Sequence, residues 1–85
     1  MKIEQVFNDG KEYINVLADK SSSKGILHFG HEILVTFVRE DRGLIFESAW
    51  HCGVSEVEWN SSEESSFEDT FPGLLAEMRS EISAA

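Results

Sequence analysis

Residues 32–50 read Glu32-Ile33-Leu34-Val35-Thr36-Phe37-Val38-Arg39-Glu40-Asp41-Arg42-Gly43-Leu44-Ile45-Phe46-Glu47-Ser48-Ala49-Trp50, and this stretch decides the fold. Successive side chains on a strand point to opposite sides of its sheet. Ile33, Val35 and Phe37 therefore share one face, with Leu34, Thr36 and Val38 on the other. Glu40-Asp41-Arg42-Gly43 interrupts the run with a short turn, and Gly43 stands where a positive φ is needed. The return strand sets Leu44, Phe46 and Trp50 on one face, with Ile45 and Glu47 opposite. Apolar groups on two faces put both strands inside a sheet.

Working outward, Ile3 to Phe7 reads as a strand that Asn8-Asp9-Gly10 turns back on itself. Residues 12–18 follow. Tyr13, Ile14, Leu17 and Ala18 also fit one face of a helix, but β-branched Ile14 and Val16 beside the turn favour a returning strand. Residues 19–25, rich in Ser and Lys, form a polar loop, and residues 26–29 a short strand stopped by Gly30. Residues 54–59 read as a further strand with Val57 and Trp59 on one face and Glu56 and Glu58 on the other. Residues 60–69 are Ser/Glu-rich and read as an acidic connection. Thr70 is placed to cap a helix over about residues 71–83, with Pro72 in its first turn, where the missing N–H costs nothing. Phe71, Leu74, Leu75, Met78 and Ile82 form its apolar stripe. The expected architecture is α+β: an antiparallel β-sheet of about five strands with a C-terminal α-helix packed on one face, all in a single domain.

An 85-residue chain has room for one thin core. Six Phe, two Trp and one Tyr exceed what an acidic disordered segment carries, so the chain folds. The formal net charge of −9 opposes direct binding to nucleic acid or to an anionic membrane, since both are drawn by Lys and Arg. It favours a partner with a basic surface. Cys52 is the lone cysteine, so no internal disulfide forms, and the beginning of the chain lacks the apolar run of a signal peptide. A cytoplasmic protein is expected.

The charge is unevenly placed. Residues 1–43 hold seven acidic and six basic side chains; residues 44–85 hold nine acidic ones against Arg79 alone. Between Glu47 and Asp69 there is no Lys or Arg. Glu56, Glu58, Glu63, Glu64, Glu68 and Asp69, with Trp59 and Phe67 as aromatic anchors, are the candidate partner-binding residues, because aromatics ringed by polar groups are typical of interface hot spots. Glu56 and Glu58, on one face of a strand about 7 Å apart, approximate the sign and spacing of a phosphate backbone. The bland alternative is an acidic segment that guards an edge strand from aggregation.

Other chemistry is poorly supported. His28, His31, His51 and Cys52 are four possible zinc ligands within 25 residues, yet neighbours on a strand point oppositely, so His51 and Cys52 do not converge on one ion without local distortion. The same geometry weakens a Cys–His nucleophile. No phosphate loop, nucleophile elbow or dinucleotide fingerprint is present. The expectation is a non-enzymatic, cofactor-free module that inhibits or regulates a protein with a basic surface, such as a nuclease, a nucleic-acid-binding protein or a toxin. Small phage-encoded inhibitors and immunity proteins share this profile of size and acidity, a likeness of class only. A metal-binding domain built on the His/Cys set is the second reading, and a subunit that homodimerises through a sheet edge the third.

Overall fold

The computed structural model describes residues 1–18, 32–53 and 55–84. The loop and short strand expected over residues 19–30, and both His28 and His31, lie outside them.

Five strands, β1 (Lys2–Asn8), β2 (Lys11–Ala18), β3 (Glu32–Glu40), β4 (Gly43–Cys52) and β5 (Glu56–Trp59), form one antiparallel sheet in the order β1-β2-β3-β4-β5. Two-residue turns join β1 to β2 and β3 to β4. Asp9 and Gly10 close the first hairpin with φ of 52° and 77°, the positive values a two-residue turn demands. Gly43, at φ 114°, sits where a side chain would be strained. A 3-10 turn (Ser61–Glu63) runs into α1 (Glu64–Thr70), and α2 (Leu74–Ala84) follows.

Alternation along β2 and β3 gives the sheet a core face of Ile14, Val16, Ala18, Ile33, Val35 and Phe37, all essentially inaccessible to water. Phe46, Ala49 and Trp59 extend it across β4 and β5, and both helices lie on it. From them Phe67, Phe71, Leu74, Leu75, Met78 and Ile82 complete the core. Each such side chain contributes about 1.5–3 kcal/mol by leaving water. Arg79 ties α2 to the sheet: its guanidinium donates to the Leu44 carbonyl at 3.3 Å and lies 5.1 Å from the centre of the Phe37 ring.

Three local expectations are corrected. Residues 60–69 are mostly helical. The Asn60 side chain accepts from the Ser62 N–H at 3.0 Å while Glu63 accepts from the Asn60 N–H at 2.9 Å, a reciprocal capping box that starts the helix. Thr70 does not cap the last helix. It ends α1, where its hydroxyl donates to the Ser66 carbonyl, and Phe71-Pro72-Gly73 turns the chain so that α2 begins at Leu74. Gly73 takes φ 81° there, and its N–H donates to Glu68. Lastly, Trp50 is not on the face of Phe46. The register passes from Phe37↔Phe46 to Thr36↔Ser48, so Glu47 is an extra residue, a β-bulge that reverses the alternation beyond it. Ala49 takes the core position, and Trp50 turns to the opposite face.

Candidate functional site

That bulge builds the most distinctive surface of the protein. On the sheet face away from the helices, Trp50 lies between Leu34 of β3 and Glu58 of β5, its direct partners in register. Such pairs have Cβ atoms about 4.5–5.5 Å apart, so the half-buried indole has an apolar neighbour on one side and a carboxylate on the other. Glu47, displaced by the bulge, and Glu63, carried in by the 3-10 turn after β5, reach the same open groove. Thr36 and Ser48 add hydroxyls to its floor. Glu56, one pleat beyond Glu58, continues the acidic line along the edge strand.

Local sequence explains each placement. Glu56 and Glu58 alternate with Val57 and Trp59, and burial of Trp59 at 7% exposure fixes which of the two sets faces water. Glu63 is held by the capping box. Glu47, Glu56, Glu58 and Glu63 are all exposed, and no Lys or Arg lines the groove among the described residues. Of the first-half cations, Arg39 pairs with Glu12 at 3.2 Å, away from the groove. Hydrogen bonds from Gln5 and Arg39 hold the Glu12 carboxyl below its ordinary range.

The remaining acids fall elsewhere. Glu64, Glu68 and Asp69 surround a second shallow site with Arg79, which pairs with Glu64 at 3.3 Å. Of the expected acidic set, Glu58 and Glu63 thus line the groove at Trp50 with Glu56 further along the same strand, and Glu64, Glu68 and Asp69 lie beside Arg79 on the helical side.

The aromatic assignments change as well. Phe67, expected as a contact residue, is wholly buried. Its ring centre lies 5.7 Å from Phe46, 5.1 Å from Trp59 and 5.3 Å from Phe71. Trp59 meets Phe67 edge-on and belongs to the same cluster. Phe67 is closed to a partner, and Trp59, although it reaches the groove, is only 7% exposed. Trp50, expected on the face of Phe46, is the more exposed aromatic of the groove. A one-residue bulge leaves no mark in an alternation pattern, so this residue was missed.

His51 and Cys52 do face opposite ways. His51 lies on the helix side, with its ring 5.3 Å from Phe71, while half-buried Cys52 pairs with Glu32 and Glu56 on the open side. Among the described residues no group of three or more His, Cys, Asp or Glu is arranged to hold a metal ion. No helix among them is long and apolar enough to cross a membrane. Comparisons with protein families, with characterised proteins and with solved structures found no match.

Proposed function

We propose that this chain is an acidic protein-binding module that inhibits or regulates a partner by occupying a basic surface, including surfaces that otherwise hold nucleic acid. The supporting observation is the groove itself. Glu47, Glu58 and Glu63 converge on the half-buried Trp50 with no lining cation among the described residues. Carboxylates collected without counter-ions raise the local negative potential, which speeds encounter with Lys- and Arg-rich surfaces and excludes acidic ones. An amphipathic indole beside them offers a face on which an arginine or lysine can lie. The carboxylates are solvated and line an open surface, a setting for recognition and not for positioned proton transfer.

Affinity capture from a cell lysate at low and at high salt tests this reading. A specific basic protein is expected at low salt, with retention falling steeply as the Debye length shrinks from about 10 Å at 0.1 M to about 3 Å at 1 M. Retention that is equal at both salt concentrations contradicts the electrostatic basis.

A further inference from the structure

Among the described residues the sheet ends on two strands, β1 and β5, that pair on one side only, and they differ in design. β5 has four residues and presents Glu56 and Glu58, so it is short and charged, as edges protected from pairing are. β1 has seven residues in unbroken register with β2, and among the described residues it pairs with nothing else. It also carries Phe7, 72% exposed, and Val6, 38% exposed, whereas β5 exposes one large apolar side chain among the described residues, Val57 at 40%. We propose that β1 is a dimerisation edge, on which a second copy of this chain adds its own β1 antiparallel about a two-fold axis at Gln5.

Hairpin geometry sets that register. A two-residue turn with both φ positive makes its flanking residues, Asn8 and Lys11, a hydrogen-bonded pair. Hydrogen-bonded pairs then recur at every second position, so Val6, Glu4 and Lys2 direct their backbone groups at β2. Ile3, Gln5 and Phe7 direct theirs away from the sheet. A two-fold axis at Gln5 sets Gln5 opposite its own copy and Ile3 opposite Phe7 of the second copy. All outward groups of the three residues are then satisfied, giving about six main-chain hydrogen bonds. An axis at Ile3 or at Phe7 runs one end of the strand past its partner.

Side chains agree with this register. Ile3, Gln5 and Phe7 lie on the helix-side face, because Ile3 and Gln5 pair with buried Val16 and Ile14. Phe7 of the second copy falls beside Ile3, at a groove lined by Ile3, Gln5, Ile14, Arg39 and Ile82. The ring most exposed in the monomer thereby meets a cleft of mixed lining, with three isoleucines to pack on and the Arg39 guanidinium to lie against. Electrostatics agree too. Lys2 and Glu4 balance on β1, and the acidic groove lies at the other edge, about 19 Å across the sheet. Joining at β1 holds the two acidic ends of the dimer apart. Of the charged side chains on β1, only Glu4 approaches its own copy, diagonally across the axis at about 7–8 Å.

Sedimentation equilibrium from about 5 to about 500 µM tests the proposal, since an interface this small gives a dissociation constant in the micromolar range. A reversible monomer–dimer equilibrium is expected. Phe7→Ser is expected to weaken it at least about tenfold by removing the side chain that fills the cleft. Gln5→Pro removes the outward N–H together with the exposed side-chain hydrogen bond to Glu12, and should weaken it similarly with only a small fall in the monomer's thermal midpoint. Glu4→Gln should tighten it about two- to threefold. Should the proline variant fail to fold, Phe7→Ser, at an exposed position, decides alone. A monomer throughout the concentration range, or a dimer indifferent to Phe7→Ser, overturns the proposal. Acidic-groove variants act at the opposite edge, so failure here is distinguishable from failure of the binding reading.

Discussion

Replacing Phe67 by alanine is expected to remove about 3–5 kcal/mol of stability, the cost typical of a buried aromatic. Phe67 is fully enclosed and touches three other rings, Phe46, Trp59 and Phe71, which join β4, β5 and the two helices. Alanine leaves a cavity that a rigid strand face on one side cannot fill. A domain of this size has about 4–13 kcal/mol in total, so the variant stands near the unfolding threshold. Its thermal midpoint should fall by about 15–30 °C. Were Phe67 a surface contact, the change would stay within about 0.5 kcal/mol. A thermal melt followed by circular dichroism separates the two outcomes.

The second large effect concerns binding. Glu47→Lys combined with Glu58→Lys should weaken partner capture at least about 100-fold, or about 2.7 kcal/mol. Both side chains are exposed and hold no fold-defining contact, so the thermal midpoint should move little. Glu63 is better left in place, because its carboxylate accepts from the Asn60 N–H that starts the helical segment. The informative control is Glu77→Lys with Glu81→Lys. Those residues are exposed on α2, and the pair alters net charge by the same amount. Loss of binding confined to the first variant assigns recognition to the groove; equal loss in both assigns it to bulk charge.

Much of this architecture was legible in the chain. Residues 32–50 announced their hairpin because parity, β-branching and Gly43 all point the same way, and such agreement between levels marks a well-specified segment. The Leu74, Leu75, Met78 and Ile82 stripe likewise marked α2. Two features escaped, for different reasons. The helical character of residues 60–69 was written in Asn60 and Glu63, a capping-box spacing, and in Phe67 and Phe71 four residues apart. Serine and glutamate drew attention to composition instead of to those positions. The Glu47 bulge is another matter. It arises from pairing between β3 and β4, and no local pattern distinguishes Phe46-Glu47-Ser48 as a bulge from the same residues as a regular strand. Its consequence is large, since it exchanges Ala49 and Trp50 between the core and the open face. The acidic half of the chain was thus correctly seen as lopsided, but its aromatic partner was misassigned.

The two indoles offer the most direct measurement of the central claim, that the groove around Trp50 receives basic groups. Both line the groove, but Trp59 is 7% exposed and packed in the aromatic cluster whereas Trp50 is half-buried, so Trp50 is the indole that a bound cation reaches first. Titrating ¹⁵N-labelled protein with a short arginine-rich peptide at low salt should shift the Trp50 indole and the backbone amides of Glu47, Glu58 and Glu63. The Trp59 indole should shift less, and the Glu64, Glu68 and Asp69 amides should stay still. Shifts that spare Trp50, or that centre on the Arg79 side of the helices, would contradict the account.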